Sequence, residues 1–72
     1  MSGLKKLRKR AWHHNGSPDL ARRMGVTADR IQQFAIGHDK FTDEQLNEMA
    51  KFFGFGGYDA KADEVTPLRT SK

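Results

Sequence analysis

The sequence predicts an all-α fold, a compact domain of four to five short helices, and three observations lead there. Apolar residues recur three and four apart through residues 4–53, the period of a helix with one buried face. Ser17, Thr27 and Thr42 stand where helices would start, and Gly25, Gly37 and Gly54 where they would stop. No stretch shows the strict alternation of a half-buried strand, and no internal repeat is visible.

The first helix is expected over about residues 3–13, with Leu4, Leu7 and Ala11 facing inward among basic residues. Asn15-Gly16 breaks it, since both residue types tolerate positive φ. Ser17 caps a second helix, Pro18 takes its first position, and Asp19 is favoured by the dipole. Leu20, Ala21 and Met24 form its inner face, and Gly25 stops it after barely two turns. Thr27 caps a third helix running to about Ile36, with Ile31, Phe34 and Ala35 as its apolar stripe. A polar loop, His38-Asp39-Lys40-Phe41, leads to Thr42-Asp43-Glu44-Gln45, which has the spacing of a capping box. Leu46, Met49, Ala50 and Phe53 carry the fourth helix to Gly54. Beyond it the residues are glycine-rich and then polar, with Val65 and Leu68 around Pro67 suggesting at most one further turn. The expected organisation is a domain over residues 1–54 and a mostly flexible tail over residues 55–72.

At 72 residues the chain supports one domain, and so short a chain buries only about 60% of the surface it exposes when unfolded. It has no cysteine, hence no disulfide, which fits a reducing cytoplasm. The basic opening is followed by no apolar signal region, and no run of eighteen apolar residues exists, so a soluble, cytoplasmic protein without membrane contact is expected. His13, His14 and His38 lack the spacing and partners of a metal site. No paired carboxylates, Ser/His/Asp grouping or phosphate-cradling glycine loop is present, so neither an enzyme, a cofactor nor a small-molecule substrate is expected. The net charge of +4 is unevenly spread: residues 1–40 carry nine Lys/Arg against three Asp, and residues 41–72 four against six acids. A basic front half suggests a face turned to a polyanion.

The informative stretch is Leu20-Ala21-x-x-x-Gly25-Val26-Thr27-x-x-x-Ile31-x-x-Phe34-x-x-Gly37. Ala21 permits close approach of two helices, Gly25 permits a tight turn, and Val26, Ile31 and Phe34 plug the angle between them. With this spacing, and a helix at Thr42–Phe53 after a loop, residues 4–54 resemble the helix-turn-helix domains of the lambda Cro and cI repressor type. The resemblance implies a phage or bacterial transcriptional regulator, a repressor by preference, whose third helix lies in the major groove of double-stranded DNA. It implies base contacts from Thr27, Ala28, Asp29, Gln32 and Gln33, and phosphate contacts from Arg10, Ser17, Arg22, Arg30 and Lys40. The chain departs from that family at Ser17, where Gln is frequent, and at Ala35, where an acidic partner for the first-helix arginine is found.

Several residues read two ways. Asp29 either accepts from a cytosine amino group or stabilises the helix N-terminus. Arg22, Arg23 and Arg30 contact phosphate or solvent, and the Lys5–Arg10 cluster is a phosphate-binding arm or a solvated face. Trp12 packs on the core or lies exposed. A homodimer is expected because one such module contacts few base pairs, with Phe52, Phe53, Phe55 and Tyr58 as the apolar residues available for it. Two other functions fit the same residues: a helix-turn-helix adaptor that binds protein, and a non-specific nucleic-acid binder.

Overall fold

The computed structural model describes residues 2–14 and 17–68. Among them are α1 (Gly3–His13), α2 (Pro18–Met24), α3 (Ala28–Ala35), α4 (Asp43–Phe52), β1 (Gly57–Asp59) and β2 (Glu64–Thr66). Asn15-Gly16, read as the break after the first helix, lies outside the described residues.

Each helix starts on a hydroxyl. Ser2, Ser17, Thr27 and Thr42 accept from the amides of Lys5, Leu20, Arg30 and Gln45 at 3.2–3.5 Å. At Thr42 the box closes, because Gln45 Oε1 accepts the Thr42 amide at 2.9 Å. Caps of this kind contribute about 1 kcal/mol each, which matters for helices of seven to eleven residues that would not persist alone.

The core takes at least one fully buried side chain from each helix: Leu7, Leu20, Ile31, Phe34 and Met49 are at most 1% exposed. Phe34 is the largest of these fully buried side chains. Its ring stacks on Phe41 with centroids 4.9 Å apart, and the Arg8 guanidinium lies 5.4 Å from its centroid. Arg8 Nε is buried without a hydrogen-bond acceptor, so the ring face is its neighbour instead.

The fold is mostly helical but not all-α, which corrects the expectation from sequence. Residues 57–66 form an antiparallel hairpin, pairing Gly57 with Thr66, Tyr58 with Val65 and Asp59 with Glu64, where a flexible tail was expected. No fifth helix follows among the described residues, and Val65 belongs to β2. Strands of three residues are too short to display a period, so their order comes from what they touch. Asn47 Oδ1 on α4 accepts the Tyr58 amide at 2.9 Å. Asp63 clasps the start of α1: its carbonyl accepts from the Gly3 amide at 2.7 Å, and its carboxylate from the Leu4 amide at 2.9 Å and the Ser2 hydroxyl at 2.5 Å. The Tyr58 hydroxyl donates to the same carboxylate at 2.6 Å. An acidic group at a helix N-terminus also complements the dipole.

The clasp has two consequences that can be measured. A Cβ on Gly3 would lie 2.7 Å from the Asp63 carbonyl oxygen and 2.8 Å from Glu64 Cα, so Gly3→Ala is expected to push the hairpin off α1. Loss of hydrogen-exchange protection at Gly3 and Leu4, whose amides donate to Asp63, with the α3 amides unchanged, is the expected signature. The hydrogen bonds from Ser2, Tyr58 and Leu4 hold the Asp63 carboxyl below the usual carboxylate range. Its stabilisation is therefore present above the unfolded carboxylate pKa of about 3.9 and is lost as pH falls through the lower folded value.

Burial, and then the hydrogen bond to Asp63, push the Tyr58 phenol up to about 12. Tyr58 is the one tyrosine, so its absorbance titration reads this directly. The midpoint is expected near 12 in the parent chain and lower in Asp63→Asn. Because the folded pKa is raised, this contribution to stability is present below the unfolded value of about 10 and declines as pH rises from there through 12.

Candidate nucleic-acid interface

Helices α2 and α3 are joined by Gly25-Val26-Thr27. Gly25 adopts φ 71°, its amide donates to the Arg22 carbonyl, and the Val26 amide reaches back to the Ala21 carbonyl at 3.1 Å. This paired closure satisfies the last carbonyls of α2 and turns the chain directly into the Thr27 cap. Gly37 and Gly54 end α3 and α4 in the same way. On α3, Ile31 and Phe34 are buried, which leaves the opposite side of the helix outward.

That outward side carries Asp29, Gln33 and Ile36 at positions i, i+4 and i+7, in line along the helix. Gln32 and Gln33 are half-buried, and neither side-chain amide is hydrogen-bonded among the described residues. Asp29 is exposed, and Ile36 is 45% exposed at the C-terminal cap. Thr27 is exposed, with its hydroxyl accepting from Arg30. Ala28 packs against the core edge.

The residues expected at phosphate sit in different settings. Ser17 caps α2, and its amide donates to the His14 carbonyl at 2.9 Å, which brings the end of α1 beside the start of α2. Arg22 faces Asp19 across one helical turn at 3.6 Å, both side chains largely in solvent. Arg30 is more firmly held: Nε donates to Asp39 at 2.9 Å, Nη2 to the Lys40 carbonyl at 3.4 Å, and the guanidinium lies 5.0 Å from the Phe41 centroid. The Arg30 hydrogen bond, helped by the Lys40 amide, holds the Asp39 carboxyl below its ordinary value, and Asp39 raises Arg30. Lys40 is exposed. Arg23 pairs with Glu48 of α4 at 3.1 Å. All three arginines of α2 and α3 thus have a carboxylate of their own.

The first helix is different. It holds five Lys/Arg and no acid. Among the described residues no carboxylate lies within 4.0 Å of Lys5, Lys6, Lys9 or Arg10. Arg10, expected at phosphate, places its guanidinium 5.6 Å from the Phe55 centroid. Trp12 is 51% exposed, which settles its two readings in favour of solvent. His14 packs against Phe53 and edge-on to Phe52, and Phe52, Phe53, Phe55 and Tyr58, the residues assigned to a dimer contact, all pack on the core within the chain. Among the described residues no group of three His, Cys, Asp or Glu could hold a metal, and no helix is long and apolar enough to cross a membrane.

Reading the sequence missed Phe41 and Arg8. Phe41 belongs to a loop of polar sequence, yet it is buried beneath Arg30 and against Phe34. A signal for it exists: Phe41 precedes the Thr42 cap and Leu46 follows four residues later, the positions of a hydrophobic staple, and both are in the core. Nothing in the spacing of α1 singles out Arg8, because its role depends on where Phe34 arrives.

The turn is the part most open to a direct test. Space around a Cβ at Gly25 is empty, so Gly25→Ala incurs only the cost of the left-handed backbone, about 1–2 kcal/mol. Denaturant melts should show that loss with an unchanged slope, because the same surface is buried. Compared with protein-family models, curated proteins and solved structures, the chain matches none.

Proposed function

We propose that this protein is a sequence-specific, double-stranded-DNA-binding transcriptional regulator that reads the major groove with α3. The observation that carries the proposal is the pair Gln32 and Gln33, whose side-chain amides have no partner among the described residues, on a helix anchored from behind by Ile31 and Phe34. A glutamine amide matches the N6/N7 edge of adenine, and a good bidentate contact discriminates by about 1–3 kcal/mol. The short α2–turn–α3 unit and its resemblance to Cro and cI repressors agree with this reading. Ser17 at the start of α2 and Lys40 after α3 flank the reading helix as phosphate contacts. A dimer on half-sites about 34 Å apart accompanies the reading, because one module spans too few base pairs.

One observation favours a second reading, a protein-binding adaptor: Ile36, 45% exposed, and Asp29, which has no ion pair among the described residues, lie on the same line of α3. An apolar side chain and a negative charge suit a protein surface better than a phosphate backbone.

Selection from a random duplex library at physiological salt separates the two. The expected result is an enriched, two-fold symmetric motif that contains adenine and is lost in Gln32→Ala/Gln33→Ala. A bound pool no different from the input would transfer α3 to the adaptor reading.

A further inference from the structure

We propose a second nucleic-acid site, separate from α3, in which the groove between α1 and Phe55 binds unpaired nucleotides of a single strand. The groove encloses about 710 Å³ and is lined by Lys5, Lys6, Lys9, Arg10, His13 and His14, with Phe55 opposite. That volume lies in the range of about 300–1,000 Å³ usual for sites that hold organic ligands.

Three features select the occupant. Charge comes first: the groove's Lys and Arg side chains have no carboxylate within 4.0 Å among the described residues, whereas Arg22, Arg23 and Arg30 are each paired. Among the described residues, four uncompensated cations thus stand together on α1, whereas the arginines of the α2–α3 unit are each paired, and such a cluster calls for a polyanion. The second feature is the aromatic wall. Arg10 is held with its guanidinium 5.6 Å from the Phe55 centroid, which presents a cationic plane on an apolar support. Guanidinium planes and aromatic rings are what unstacked bases lie on, and a base still paired in a duplex has no free face to offer them. The third is alignment. Lys5, Lys9 and Trp12 follow one another at i, i+4 and i+7, so a strand tracked by the lysines reaches an indole that is 51% exposed. Phosphates then lie along Lys5, Lys6 and Lys9, one base stacks on the Arg10–Phe55 pair, and another meets Trp12.

The site is tested with a labelled single-stranded oligonucleotide of mixed sequence, followed by anisotropy across a salt series and by the fluorescence of Trp12, the one tryptophan. Lys6→Gln/Lys9→Gln is expected to weaken binding at least tenfold and to lower the salt slope by about 1.4, the value for two lost single-strand phosphate contacts. Arg10→Lys keeps the charge and removes the plane, so it is expected to weaken binding about tenfold at an unchanged slope. Trp12 fluorescence should be quenched on binding, and Gln32→Ala/Gln33→Ala should leave all of this intact. That last comparison separates failure of this site from failure of α3 as a reader. All these positions except the half-buried glutamines are exposed, and circular dichroism confirms that each variant is folded. The proposal is overturned if the oligonucleotide does not bind, if the lysine variant binds as the parent does, or if Arg10→Lys has no effect. It is equally overturned if sulfated polysaccharide or anionic lipid vesicles compete as well as the oligonucleotide at equal charge, since the groove would then recognise charge alone.

Discussion

The placement of α3 depends on Phe34. Its ring is fully buried where three elements meet: Arg8 of α1 lies against it, Phe41 of the following loop stacks on it, and Arg30 of α3 lies against Phe41. The run Arg8, Phe34, Phe41, Arg30 alternates cation and aromatic contacts from the first helix to the loop after the third. Removing a buried phenylalanine costs about 3–5 kcal/mol in general, a large part of what so small a domain has in total. The outward line of Asp29, Gln33 and Ile36 is defined only because this inner contact fixes the rotation of the helix.

The same contact explains why the arginines of the α2–α3 unit do not make it the most positive surface. Arg30 is drawn toward Phe41 and Asp39, and Arg23 toward Glu48, so their charges serve packing and helix-to-helix contact. Such exposed pairs stabilise little, but they remove net charge from the surface they occupy. On α1, by contrast, Lys5, Lys6, Lys9 and Arg10 stand together with no carboxylate within 4.0 Å among the described residues. The unbonded glutamines of α3 and the clustered cations of α1 thus stand on different helices, an arrangement that suits the two nucleic-acid contacts proposed above.

The hairpin closes the opposite side of the molecule. It leaves α4 through Gly54, rests on Asn47, and returns to α1 through Asp63, which accepts from two amides and two hydroxyls in all. Because the clasp joins residues about sixty positions apart, it ties the first turn of the chain to one of its last elements. With it in place, the groove beside α1 has a second wall in Phe55, held by the Phe55 amide bond to the Ala50 carbonyl.

Sequence alone determined the four helices, the hydroxyl caps of the last three, the glycine closures and most of the inner faces, because all of these rest on neighbours one to five residues apart. The same local logic placed Gln33 on the outward line of α3. Tertiary structure alone decided that residues 57–66 pair as strands, that Phe41 is core, that Arg30 is held and that the cations of the groove on α1 have no carboxylate within 4.0 Å among the described residues. A three-residue strand has no period to read, and a loop phenylalanine looks the same whether it is covered or not. An arginine is equally silent about which carboxylate or ring will reach it. Those outcomes depend on contacts such as Ser2 to Asp63, Arg8 to Phe34 and Arg23 to Glu48, which exist only once the helices have packed.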